Sequence, residues 1–208
     1  MATTGQSPQP LAFLLCLSSF TLIMVLGQEE APSALVSLSN VTDQFTLLSS
    51  KSLVTKDPYS VLSKWNSNIS FCEWNGVSCG HGSHRVVALN LSEKALEGTI
   101  SPYISNLSFL QVIDLSSDSF HGHILVDFSC LLLLENVSIR KNNFEGLIPQ
   151  TLSHCRELKL LNIQGNRLTG TILVALANLT KLELFSTGGN QIQGNIPPEL
   201  GSLTLDGL

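Results

Sequence analysis

The apolar residues of this chain fall into columns. From Val86 to Leu205 they return every 24 residues, in step with glycines at Gly98, Gly122, Gly146, Gly170 and Gly194. One column is Val86, Leu110, Leu134, Leu158 and Leu182, and the next is Leu89, Ile113, Val137, Leu161 and Phe185. A third reads Leu91, Leu115, Ile139, Ile163 and Thr187, and a fourth Leu96, Phe120, Phe144, Leu168 and Ile192. The isoleucine column has no exception: Ile100, Ile124, Ile148, Ile172 and Ile196. Two more columns run from Ile104 to Leu200 and from Leu107 to Leu203, the second interrupted by Cys155. A period of about 20 to 29 residues with an L-x-x-L-x-L core is that of a solenoid. In LQVIDLSSD, Ile113 and Leu115 point inward while Asp114 and Ser116 point outward, the alternation of a short strand. Five coils over 86–205 are therefore predicted, stacked so that their strands pair in one parallel sheet at about 4.8 Å per step.

The polar positions inside the unit have structural work of their own. Asn142, Asn166 and Asn190 recur at one place in the last three coils, where Asp118 and Lys94 stand in the first two. An amide turned inward there both donates and accepts, and it can bond backbone groups that the bend leaves unpaired. An ionised Asp118 only accepts and Lys94 only donates, so the ladder is expected to be weaker in the first two coils. The glycine suits a tight bend or a positive φ. Pro149 and Pro197 stiffen the segment after it.

Residues 28–85 precede the coils as a cap. Phe45, Leu48 and Val54 suit an amphipathic helix that Thr42 or Asp43 could start, and Asp57-Pro58 reads as the start of a second short helix. Cys72 and Cys79 bracket Trp74 and Gly76 and are expected to form a disulfide, since a metal site would want more ligands nearby. Cys130 and Cys155 lie one coil plus one residue apart. Either they form a strained bridge, or Cys130 is a surface thiol and Cys155 a small buried residue; the second reading is preferred.

Residues 1–27 stand apart, with the apolar run LAFLLCLSSFTLIMVLG and no charge before Glu29. This reads as a secretory signal cleaved after Gly27, with Val25 and Gly27 as the small residues before the cut; an uncleaved anchor is the other reading. Secretion gives meaning to six N-x-S/T triplets, at Asn40, Asn68, Asn90, Asn106, Asn136 and Asn178, as candidate glycosylation sites. A net charge of -5 with 13% charged residues offers no basic surface for phosphate backbones, so nucleic acid is not an expected partner.

The cap and the repeat together resemble the extracellular part of plant leucine-rich-repeat receptor-like kinases, and the wording of the cap is similar to the immune-type receptors. The carriers are Asp43 with Leu47 and Leu48, the Asp57-Pro58 step, the run W-N-x-x-x-x-x-C-x-W-x-G-V-x-C from Trp65 to Cys79, and the repeat L-x-x-L-x-L-x-x-N-x-L-x-G-x-I-P. The resemblance implies an α/β repeat fold: a right-handed solenoid with a parallel sheet on its concave face and a disulfide-closed helical N-terminal cap. It also implies a strand face or flank that binds an extracellular peptide, a glycan, another protein or a co-receptor, in defence or developmental signalling. Receptors of that family continue with more repeats, a second cysteine-paired cap, a membrane helix and a Ser/Thr kinase. Here Asp206 stands where a sixth coil should open with an apolar residue, and 206–208 read as a truncated end. The chain is expected to be a fragment of such a receptor, attached to a membrane only through a missing C-terminal part. The alternative is a short secreted repeat protein that inhibits a wall-degrading enzyme or acts as a decoy.

No catalytic, cofactor or metal role is expected within these residues. His121 and His123 flank the repeat glycine where Glu145 and Leu147 stand one coil later, so they read as solvated side chains rather than a metal pair. Gly188-Gly189 lacks the helix start and Lys-Ser/Thr of a phosphate loop. No positioned nucleophile accompanies a histidine and an acid. The candidate ligand face is the outward strand surface of coils two to four: Asp114, Ser116, Ser138, Arg140, Lys141, Asn162 and Gln164. Asn90, whose sugar would crowd that face, lies outside it.

Overall fold

The computed structural model describes residues 33–66 and 68–202. The expected signal over 1–27 and the end at 206–208 lie outside them. The cap opens with helix α1 (Ser33–Ser52). It is followed by β1 (Val54–Lys56), a 3-10 turn (Phe71–Glu73) and β2 (Val77–Cys79). Each coil then contributes one strand to a main sheet: β3 (Val86–Asn90), β5 (Val112–Asp114), β7 (Asn136–Ser138), β9 (Leu160–Asn162) and β11 (Leu184–Ser186). A second sheet is built from β4 (Glu97–Gly98), β6 (Ser119–His123), β8 (Asn143–Leu147) and β10 (Arg167–Thr169). Short 3-10 helices, among them Pro102–Asn106 and Val174–Asn178, complete the coils.

The main sheet has six strands in the order β11-β9-β7-β5-β3-β2, parallel throughout except for β2. The second has five, β1-β4-β6-β8-β10, with β1 antiparallel at its edge. The 24-residue pattern predicts a single sheet, and this second one is additional to it. Registers differ between the two: Ala88 faces Val112, one whole repeat on, whereas Gly98 faces Phe120, two residues short of a repeat.

The columns form the core. Val86, Leu110, Leu134 and Leu158 are fully buried, as are Leu107, Leu131, Cys155 and Leu179. Phe120 and Phe144 stack at 6.3 Å across adjacent coils. The isoleucine column is the least regular in burial: Ile100 and Ile148 are buried, but Ile196 is 54% exposed, with no described coil to cover it. Gly98 and Gly146 show why the glycine is needed. A Cβ on Gly98 would meet the backbone oxygen of Leu53 at 2.2 Å, and one on Gly146, at φ +82, would meet the His123 ring.

The cap departs from expectation at both helix positions. α1 begins ten residues before Asp43, so neither Thr42 nor Asp43 starts it. Asp43 instead lies in the helix body with its carboxylate fully buried. It accepts from Arg85 Nε and Nη2, each at 2.9 Å, and from the Val86 backbone N–H at 2.9 Å. The Arg85 guanidinium also stacks 4.6 Å over the Phe109 ring. Leu47 rather than Phe45 fills the helix interface; Phe45 is exposed and meets Tyr103 edge-on. Val54 belongs to β1. Asp57 does cap, accepting from the Val61 and Leu62 N–H groups, but what it closes is a run of turns and no second helix. Cys72 and Cys79 form the expected disulfide, beside the stacked Trp65 and Trp74.

The ladder is present and uneven. Asn142 donates to the carbonyls of Leu115 at 2.7 Å and Ile139 at 3.2 Å, and its Oδ1 accepts from Phe120 N–H at 2.9 Å. Asn166 and Asn190 repeat the pattern one and two coils on. Asp118 accepts from the Lys94 and Leu96 N–H groups through Oδ1, but its Oδ2 is buried with no hydrogen-bond partner among the described residues. Burial raises the Asp118 pKa above the ordinary carboxylate value, opposed by the backbone N–H groups it accepts.

Two stability predictions follow from these contacts. Asp118→Asn supplies the missing donor and is expected to stabilise the chain by about 1 kcal/mol near neutral pH in denaturant unfolding. A carboxyl with a raised folded pKa favours the protonated form in the folded state. The wild type should therefore lose stability as pH rises from the ordinary carboxylate range through the raised value, and the variant should lack that slope. Asp43→Ala leaves the Arg85 charge buried and uncompensated, and should cost about 3–5 kcal/mol in the same measurement.

Candidate recognition face

The outward side of the main sheet is built from alternate strand residues, because successive side chains on a strand point to opposite faces. With Ile113, Val137, Leu161 and Phe185 turned into the core, the residues on either side of each face out. Asp114, Ser138, Asn162 and Ser186 lie in register on neighbouring strands, so the structure brings the first three of these candidates into one row. Arg140 and Gln164 continue the face just beyond the strands. Lys141 is exposed on the turn after β7, at φ +54, where its neighbour one coil on is Gly165 at φ +68.

Ser116 is the exception among the candidates. It is 6% exposed, and its hydroxyl and N–H both bond Asp114 Oδ1, at 2.6 and 3.0 Å. The hydroxyl closes the strand end and is not open to a ligand. Ser92 and Asn90 make the same pair of bonds in the first coil.

A second row was missed from sequence. Ala88, Val112, Asn136, Leu160 and Leu184 are paired in register one after another, two residues before the polar row. Their side chains are half-buried. Counting back by two from Asp114 finds them; apart from Asn136, their apolar character disguises them as core. The face is thus a polar row beside a largely apolar one. Along the approach to the strands, Lys159 bonds Glu135 at 2.7 Å across one repeat, and that hydrogen bond raises the Lys159 pKa.

His121 and His123 are exposed on β6 in the second sheet, away from this face, with His123 3.9 Å from the Glu145 carboxylate. Among the described residues, no group of three His, Cys, Asp or Glu side chains converges as a metal site would. Cys155 is fully buried with a free thiol, so no bridge joins it to Cys130. Burial pushes the Cys155 thiol up to about 12, with the Asp127 charge adding to the effect. Cys130 is half-buried, at the end of the 3-10 turn Phe128–Cys130. No described helix is long and apolar enough to cross a membrane.

Residues 41–80 match the leucine rich repeat N-terminal domain family, and residues 157–179 match the Leucine Rich Repeat family. The LRR receptor-like serine/threonine-protein kinase EFR of Arabidopsis thaliana is 40% identical over 107 residues, covering 51% of this chain and 10% of that protein. The chain therefore spans about a tenth of that relative's length. Among solved structures, the BIR2 ectodomain from Arabidopsis thaliana superposes with a TM-score of 0.72 at 31% identity, over 78% of this chain and 87% of that one. The Arabidopsis receptor kinase HAESA, in complex with the peptide hormone IDA and the co-receptor SERK1, gives 0.71 at 32% identity, over 79% of this chain and 28% of that one. The fold is a right-handed leucine-rich-repeat solenoid with the main sheet on its concave face. The chain belongs to the leucine-rich-repeat ectodomains of plant receptor-like kinases.

The two-row description of the concave face can be checked by paired substitution. Leu160→Asn, on the half-buried outward row, gives up only part of a buried leucine's contribution and should cost about 1 kcal/mol. Leu161→Ala, one residue on and fully buried, should cost about 2–5 kcal/mol. Comparable losses in thermal unfolding would contradict the assignment.

Proposed function

We propose that the chain is an extracellular ligand-recognition module of a plant receptor-like kinase, carried on the secretory pathway and binding a peptide, a carbohydrate or a co-receptor in defence or developmental signalling. The observation that carries the reading is the concave face itself. Polar Asp114, Ser138 and Asn162 stand in register beside an apolar row, and Arg140 and Gln164 extend the polar row. Such a face offers hydrogen bonds at the strand spacing, about 4.8 Å, together with an apolar strip for side chains. The solved complex of HAESA with a peptide hormone and a co-receptor supports that use of the fold.

Asn40, Asn68, Asn90, Asn106, Asn136 and Asn178 are the glycosylation sites of this reading; Asn40 is half-buried in α1, while Asn68, Asn90, Asn106 and Asn178 are exposed. Transcript sequencing past the codon for Leu208 is expected to run into further repeats, a membrane helix and kinase motifs. A stop codon directly after Leu208 would overturn the receptor reading in favour of a short secreted inhibitor or decoy.

A further inference from the structure

The main sheet and the N-x-S triplet share a period of two. In a strand, residues i and i+2 lie on one face while i+1 lies on the other. Two of the six triplets sit on main-sheet strands and use that match. Asn136 and Ser138 are the outward residues of β7, with Val137 buried between them. Asn90, the last residue of β3, and Ser92 flank the buried Leu91 in the same way. Both asparagines thus present their amide on the concave face, and neither amide nitrogen is engaged. The Asn136 side chain makes no hydrogen bond among the described residues, and Asn90 accepts through Oδ1 alone, from Ser92. Asn40 differs in kind: on a helix its triplet does not share a face, and its Oδ1 is buried.

We propose that sugars on Asn90 and Asn136 cover the concave face of coils one to three, and that the part of this face open to a ligand is coils four and five. Strands lie about 4.8 Å apart, and an N-linked sugar is wider than that spacing. A glycan on Asn136 therefore overlies its register neighbours Val112 and Leu160 on either side. A glycan on Asn90 overlies Asp114, its own neighbour. What remains is the outer half of the apolar row, Leu184 with the far edge of Leu160, beside Asn162, Ser186 and Gln164. The inference rests on the recognition reading for its consequence, but its test does not. It narrows the recognition reading, because, of the polar row, Asn162, Ser186 and Gln164 stay open while Asp114 and Ser138 fall under the sugars, and the expected ligand centre moves away from coil three.

The test uses the full chain secreted from plant cells. Glycopeptide mapping is expected to find both Asn90 and Asn136 occupied. Hydroxyl-radical footprinting should then show Val112 protected in the wild type and its labelling increased in Asn136→Gln, with Leu184 labelling the same in both. Ser138→Ala removes the same triplet while keeping the asparagine and should reproduce the increase, which separates loss of the sugar from an effect of the side chain. An unoccupied Asn136, or an occupied one whose removal leaves Val112 labelling unchanged, overturns the proposal. Either result is independent of whether kinase motifs follow Leu208, so this inference and the receptor reading fail separately.

Discussion

A coil of this solenoid cannot close its own core. Burying a Leu or Ile side chain gives about 1.5–3 kcal/mol, whereas ordering each residue costs about 1–2 kcal/mol, so a 24-residue turn standing alone loses. Each coil is stable because the columns of the next one cover it, and the first must be covered by something else. That cover is fixed by the buried Asp43 carboxylate, which holds Arg85 and the Val86 N–H at the point where the cap passes into the first strand. The backbone bond matters as much as the ion pair, because it gives Val86, first in its column, a defined height against α1. At the other end of the described residues, exposed Ile196 shows what an uncovered column position looks like.

The ladder addresses a different need. Five bends in register bring carbonyl and N–H groups inward, where they are shielded from water. The amides of Asn142, Asn166 and Asn190 each bond carbonyls in two coils and an N–H in one, so they tie bends together as well as satisfying them. Asp118 shows the limit of substituting a carboxylate, since it gathers two N–H groups and leaves one oxygen stranded. Lys94 contributes its backbone N–H to Asp118, so the first bend is served by the second coil's side chain.

What was legible in the sequence was whatever repeats. The columns, the glycine, the asparagine ladder and the outward polar row recur every 24 residues, and recurrence outweighs the ambiguity of any single residue. The disulfide was legible because its partners are close in the chain. The second sheet was not, because stretches such as Ser119–His123 and Asn143–Leu147 carry no clean alternation and pair through backbone groups that any residue supplies. The start of α1 was hidden for a similar reason, its first turns being rich in serine. The partnership of Asp43 with Arg85 spans 42 residues and occurs once, so no period announces it. At the recognition face, Val112, Leu160 and Leu184 were hidden by their own chemistry, apolar residues turned outward in a chain where apolar means core.

Cys155 occupies a leucine position in a fully buried column, and its sulfur points to the Phe128 carbonyl at 3.4 Å. Exchange with a disulfide needs the thiolate and an open path to it. The folded chain denies both, since burial keeps the proton on and the neighbouring coils close the path. The thiol is therefore vulnerable only during the interval in which coils two to four have not yet closed over one another. Cys72 and Cys79, seven residues apart in the chain, can find each other within that interval without waiting for the stack. Geometry thus keeps the two apart: the bridge joins near neighbours within the cap, and the stacked coils enclose the thiol that could compete with it.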